Sequence, residues 1–190
     1  LRDLGVPFRV AASNAEEVLE GADAQALAER NALAKIRAAV LPDDVSPDAF
    51  ILGTDTVVTL EGRTLGKAAS AEEAAGMLRL LSGRFHEVVS GVALVRGIAG
   101  LNAHAGTDGL QVAAAVTQVT FAPLDEESIA AYVASGEWRG KAGAYAVQGL
   151  AGMFVTGICG EYSNVVGLPL CLLARLFRSL GFDLLRRSWV

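Results

Sequence analysis

The Gly53-Thr54-Asp55-Thr56 stretch is the first place where the sequence offers chemistry. The apolar run Ala49-Phe50-Ile51-Leu52-Gly53 reads as a strand buried on both faces that stops at Thr54. That reading puts Asp55 at the carboxyl end of a strand, where open α/β sheets collect ligands. A carboxylate there could hold a divalent cation or take a proton from water. It could equally hydrogen-bond its own turn, and the local pattern does not separate the two. Lys67, in Leu65-Gly66-Lys67, is either a point charge for a phosphate beside a glycine that admits close approach, or a solvated turn lysine. Lys35, on a helix, is open between the same alternatives. Between Lys141 and Gly149, small residues flank Tyr145 and Gln148, which suits a backbone approaching a planar ligand. The Gln148 amide offers a donor and an acceptor, as reading a base edge requires. Further on, Ser163 or Asn164 could cap the last helix, with Pro169 in its first turn. Backbone N–H groups at that entry could bind an anion, although a plain helix start is the simpler account. His86 heads a strand, where a structural role is simpler than a catalytic one. No P-loop, G-x-S-x-G elbow or spaced Cys-His pair competes with these residues.

The elements that must position these groups follow from periodicity and punctuation. Pro7 to Ala11 alternates as a short strand would. Asp23 to Val40 reads as an Ala-rich helix with Leu27, Ala34, Ala38 and Leu41 on its apolar stripe and Lys35 at the border. After the interruption at Thr54-Asp55-Thr56, Val57 to Leu60 resumes a strand that turns at Glu61-Gly62. Ser70-Ala71-Glu72-Glu73 is a capping box, and Gly83 ends the helix it starts. Val88 to Val95 and Leu110 to Phe121 read as a strand pair joined by the Gly-rich connection 97–109. Asp125 to Ser135 is a short helix closed by Gly136, Gly143 to Gly160 holds glycine-interrupted strands, and Leu168 to Leu180 is a final helix. Helices and strands alternate without a regular repeat, so the expected fold class is α/β, with a mixed twisted sheet flanked by helices.

The 190 residues suffice for one domain with a substantial core, and no linker or repeat divides them, so a single domain over 1–190 is expected. A net charge of −5 argues against a non-specific nucleic-acid binder, so no nucleic-acid partner is expected. The most apolar stretch, Val165 to Ala174, is broken by Gly167 and Pro169 and too short for a bilayer, so no membrane partner is expected either. The opening residues do not read as a signal peptide, and a cytoplasmic location is expected. Cys159 and Cys171 lack metal-ligand spacing and are expected to be reduced, buried thiols.

Taken in order, several of these stretches resemble the Maf family of house-cleaning nucleotide pyrophosphatases. They are Gly53-Thr54-Asp55-Thr56-Val57-Val58, Leu65-Gly66-Lys67, Met77-Leu78 with Leu81-Ser82-Gly83 and His86, Lys141-Ala142-Gly143-Ala144-Tyr145 with Gln148-Gly149, and Tyr162 to Leu170. The resemblance implies a two-lobed Maf/ITPase-like architecture and hydrolysis of a nucleoside triphosphate to monophosphate and pyrophosphate. It implies a divalent metal, Mg or Mn, and a homodimer as a possible assembly. It assigns Asp55 as proton acceptor, Glu17 and Asp55 as metal-site carboxylates, and Lys35, Lys67 and Lys141 as substrate contacts. Asp55-Thr56, and Lys-Ala-Gly-Ala-Tyr followed by Gln148, resemble the dTTP/UTP-hydrolysing branch, which makes Thr56 and Gln148 the implied specificity residues. The family's opening strand and its Ser-x-Ser-Pro-Arg-Arg loop have no counterpart here; Leu1-Arg2-Asp3-Leu4-Gly5 matches only the helix end that follows them. Weak or absent activity of the chain as given is therefore an expectation. Two rival readings stay open at this stage: a pyrophosphatase for non-canonical purine triphosphates, and a catalytically impaired nucleotide-binding protein that regulates cell division.

Overall fold

The computed structural model describes residues 1–2, 4–18, 23–102 and 109–190. In chain order the elements are α1 (Ala24–Arg37), β1 (Phe50–Leu60), β2 (Arg63–Leu65), α2 (Ala71–Leu81), β3 (Phe85–Arg96) and β4 (Leu110–Phe121). They continue with α3 (Glu126–Ser135), β5 (Val155–Cys159), α4 (Tyr162–Val166), α5 (Leu170–Ser179), β6 (Phe182–Asp183) and β7 (Ser188–Trp189). Five strands form one sheet in the order β2-β1-β3-β4-β5, and β6 and β7 form a small hairpin. An α/β architecture with a sheet flanked by helices is what the sequence led us to expect. The pairing, however, is antiparallel at every described strand pair rather than mixed.

Local chemistry explains most boundaries. The Ser70 hydroxyl accepts from Glu73 N at 3.1 Å, while the Glu73 carboxylate reaches back to Ala69 N at 2.7 Å. This capping box starts α2 as expected. Asp125 accepts from Ser128 N at 2.7 Å to start α3, and Gly136 closes that helix at φ +77°. The connection 97–109 links β3 to β4, beginning with a 3-10 helix over Ile98–Asn102.

Four expectations are corrected. Pro7 to Ala11 forms no strand, and the nearest pairing is an isolated bridge between Ser13 and Ala39. Between Gly143 and Gly160 only Val155–Cys159 is a strand, because turns and a 3-10 helix over Leu150–Phe154 precede it. Cys159 and Cys171 are exposed rather than buried, one ending the edge strand β5 and the other in the first turn of α5. Most consequentially, β1 does not stop at Thr54. It stays paired with β3 from Phe50↔Arg96 to Thr59↔Glu87, so Asp55 lies in mid-strand opposite Gly91. Threonines are good strand residues, and an unbroken partner strand keeps the polar stretch in the ladder.

Alternation along β1 sorts its side chains to two faces. On one face, Ile51 clusters with Ala32 and Ile36 of α1, and Val57 with Leu27 and Ala28. On the other, Phe50 and Leu52 pack with Leu172, Leu173, Leu176 and Phe177 of α5, whereas Val58 and Leu60 join Leu78 and Leu81 of α2. The buried stripe of α1 is Leu27, Ala28, Asn31, Ala32 and Ile36, rotated from the expected one. Among the described residues, no helix is long and apolar enough to cross a membrane.

α1 approaches the sheet closely because glycines lie beneath it. A Cβ on Gly91 would run into the backbone carbonyl of Ala28, and one on Gly53 would come within 2.8 Å of Ala32 O. Gly91→Ala is therefore expected to destabilise the fold by about 2–3 kcal/mol through overpacking against a rigid helix backbone. The urea midpoint of unfolding measures this, and an unchanged midpoint would contradict the close docking of α1.

Candidate functional site

Asp55 is only 5 % exposed and points from β1 toward α1. Its Oδ1 accepts from Lys35 Nζ at 2.6 Å and its Oδ2 from Asn31 Nδ2 at 2.9 Å. It therefore makes no turn of its own, which removes the turn-carboxylate reading. Asn31 and Lys35 are one turn apart on α1, so both reach the same carboxylate. The Lys35 ammonium also donates to Thr54 O at 3.3 Å and pairs with Glu17 Oε1 at 2.9 Å. From the other side, Lys67 Nζ pairs with Glu17 Oε2 at 3.0 Å. Two carboxylates and two ammonium groups thus form one chain, Asp55–Lys35–Glu17–Lys67.

The charges tune one another. The hydrogen bond from Lys35, assisted by Lys67, holds the Glu17 carboxyl below its usual range against partial desolvation. Burial works against the Lys35 ammonium, yet its bonds to Asp55 and Glu17 outweigh burial and raise its pKa above the usual lysine value. Both groups are accordingly ionised at neutral pH.

The remaining sequence-predicted residues are distributed less compactly. Lys141 enters the neighbourhood through the backbone, since Ala142 bridges to Lys67 and Gly143 N donates to Gly66 O at 3.0 Å. The Lys141 and Gln148 side chains are exposed and make no hydrogen bond or ion pair among the described residues. Gln148 precedes Gly149, where a Cβ would strike the Glu137 carboxylate that accepts from Leu150 N at 2.8 Å. Thr56 lies on the opposite face from Asp55, with its hydroxyl 2.8 Å from that of Ser90. The structure does not bring Thr56 to the carboxylate cluster, because adjacent strand residues face opposite ways. The anion site suggested before the last helix is also filled from within the chain. Ser163 Oγ accepts from Leu170 N at 3.1 Å and Glu161 Oε2 from Cys171 N at 2.9 Å. Two surface cavities of about 240 and 590 Å³ lie near the far end of β1, both lined by Thr59, Gly62 and Glu87. Neither is lined by Asp55, Lys35, Glu17 or Lys67, so the charged cluster lies outside both hollows.

Asn31 is the residue that sequence reasoning missed. The signal was an amide one turn from Leu27 and one turn from Lys35, on a stripe otherwise apolar. Asn31 falls on the expected stripe too, four residues after Leu27 and three before Ala34, but a lone amide there carries no hydrophobic signal.

Residues 1–180 match the family described as Maf-like protein. The chain belongs to the Maf family. Maf relatives cover almost its whole length. It is 44% identical over 185 residues to the dTTP/UTP pyrophosphatase of Pelotomaculum thermopropionicum, covering 97% of this chain and 92% of the relative. The dTTP/UTP pyrophosphatase of Symbiobacterium thermophilum is also 44% identical, covering 97% and 89% of the two chains. That of Thermococcus gammatolerans is 41% identical over 181 residues, covering 95% and 89%.

A divalent cation, implied by the Maf resemblance, can be tested against these donors. Asp55 Oδ1 and Glu17 Oε1 both lie within 2.9 Å of the Lys35 ammonium nitrogen, so these two carboxylates are the ones that would hold the cation. Both are hard oxygen donors suited to Mg²⁺ or Mn²⁺. Among the described residues, no group of three His, Cys, Asp or Glu side chains forms a self-sufficient cage. The donor set therefore fits an ion that takes its other ligands from water and phosphate, as Mg²⁺ commonly does.

His86 supports the Lys141–Gly149 segment from below. Its Nε2 is 2.9 Å from the Tyr145 hydroxyl, and Phe121 meets both rings edge-on. Burial lowers the His86 pKa from 6.5 to about 4 and raises that of Tyr145 well above the usual phenol value. Between pH 6.5 and about 4 the unfolded chain binds a proton at His86 that the folded chain refuses. Stability contributed by neutral His86 is thus fully present above pH 6.5 and falls with pH across that window, by up to about 3 kcal/mol. Urea unfolding of parent and His86→Gln at a series of pH values measures it, and the variant should lose that part of the slope.

Proposed function

We propose that this chain hydrolyses nucleoside triphosphates, dTTP and UTP foremost, to the monophosphate and pyrophosphate. The observation that carries the proposal is a buried carboxylate, Asp55, held 2.6 Å from Lys35 in a continuous run of alternating charges with Glu17 and Lys67. The names borne by relatives at 41–44% identity over nearly the whole chain support the same substrate class.

In this reading a water oxygen attacks the α-phosphorus, and Asp55 accepts its proton. The bond from the α-phosphorus to the bridging oxygen breaks, and pyrophosphate departs. Lys35 and Lys67 exchange their carboxylate partners for phosphate oxygens and offset charge that grows in the transition state. Glu17 and Asp55 would hold the divalent metal, Mg or Mn, which would supply charge neutralisation for the triphosphate and polarisation of its phosphoryl oxygens. Lys141 adds a cation beside Lys67. Gln148 pairs with the O4/N3–H edge of thymine or uracil, since an amide supplies the donor and acceptor that edge requires. Thr56, turned toward Ser90, has no direct role in this reading. A single domain, a cytoplasmic location and a homodimer belong to the same proposal.

Pyrophosphate release from dTTP, UTP, ITP and 7-methyl-GTP tests it. dTTP and UTP should be preferred, and Asp55→Asn should lower kcat by about 10³-fold while leaving the protein folded. An Asp55→Asn variant within about tenfold of the parent would sink the assignment of Asp55. Binding of dTTP without pyrophosphate release would replace the hydrolase reading with a nucleotide-binding one. Gln148→Glu should raise KM for dTTP by about tenfold with little effect on kcat, because it removes a uniform binding contact.

A further inference from the structure

We propose that Asn31 is a positioning residue that fixes the Asp55 carboxylate and the Glu17 segment at one spacing. The inference rests on the proposed function for its kinetic reading, and on the geometry alone for its structural one. Asn31 is 2 % exposed, in the middle of the α1 face that packs on the sheet. Both of its amide hydrogens are committed, one to Val18 O and one to Asp55 Oδ2, each at 2.9 Å. Its Oδ1 accepts from Val18 N at 3.0 Å. The amide therefore pairs with both backbone groups of Val18, as a neighbouring strand would, and spends its last donor on Asp55. Glu17 is the next residue in the chain.

This arrangement divides labour between two positions one helical turn apart. Lys35 and Asn31 both connect Asp55 with the Glu17–Val18 segment, the first through charge and the second through a neutral amide. The Lys35 side chain is a quarter exposed and can be drawn toward an incoming phosphate. Asn31 is enclosed and has no competing partner among the described residues, so it keeps the frame when the ammonium leaves. It also distinguishes the two oxygens of Asp55. Oδ2 is engaged by the amide, which leaves Oδ1 facing Lys35 and the cluster as the oxygen open to the site's chemistry. A residue that merely satisfied the Val18 backbone would not need the third bond.

Two variants test the proposal on the full chain. Asn31→Leu removes all three bonds with an apolar side chain of similar size. Asn31→Asp keeps the shape but aims lone pairs at Val18 O and Asp55 Oδ2. Each should lower kcat on dTTP by about 10–100-fold, with KM changed by less than about threefold, and weaken Mn²⁺ binding followed by electron paramagnetic resonance by about tenfold. In an Asp55→Asn background, Asn31→Leu should lower the residual rate by less than about twofold, since its effect runs through Asp55. Loss of thermal stability with the folded fraction retaining the parent's kcat and Mn²⁺ affinity would make Asn31 a packing residue and overturn the proposal. If the leucine variant does not fold, the aspartate variant decides by the same readings. A parent that releases no pyrophosphate from any triphosphate removes the functional reading, and Mn²⁺ binding then decides alone. Binding that is absent from the parent, or equal in parent and variants, overturns the positioning role.

Discussion

A carboxyl group buried between a sheet and a helix needs donors that reach it at the same depth. Asp55 meets that constraint with an ammonium and an amide, both from α1. Much of the surrounding structure follows from it. The helix must lie close enough for a side chain as short as asparagine to reach mid-strand, which excludes Cβ atoms at Gly53 and Gly91. The strand must run through the polar stretch so that Asp55 faces the helix. The segment bearing Glu17 must then pass beside α1, where Val18 meets Asn31.

Charge balance shapes how this cluster behaves. Glu17 and Asp55 are offset by Lys35 and Lys67, so the four groups carry no net charge among themselves. A triphosphate changes the balance, because its oxygens compete for both lysines and thereby uncover the carboxylates. The overall negative charge of the protein makes such local cationic groups the means by which an anionic ligand is attracted.

The site was partly legible in the sequence. The local pattern around Asp55 left catalyst and turn carboxylate level, and only the ordered set of motifs along the chain favoured one. Glu17 and Lys35 became site residues through that resemblance, since an acidic loop residue and a helical lysine are ordinarily solvated. In the sequence the polar residues at 54–56 read as the end of a strand, because a polar side chain bonded inside the fold looks the same there as an exposed one. They are polar because one face meets Asn31 and Lys35 and the other meets Ser90. Asn31 escaped notice because hydrophobic periodicity is blind to an amide that substitutes for an apolar side chain. The capping box at Ser70, the Gly136 stop and the β3–β4 pair were readable because each depends on neighbours in sequence. Which strand lies beside which depends on distant segments, and the antiparallel order was not.

The glycines beneath α1 also act as an index. Ala28 seats over Gly91, and Ala32 with Ile36 over Gly53, so each dent in the sheet receives one part of the helix. Sliding α1 by one turn, about 5.4 Å, would carry those contacts onto neighbours that have side chains. The helix thus has a single seat, set by shape rather than by its charges. Sequence drift at Lys35 or Glu17 can change what the cluster does while α1 remains in register, so the scaffold can outlast a given chemistry and be fitted with another.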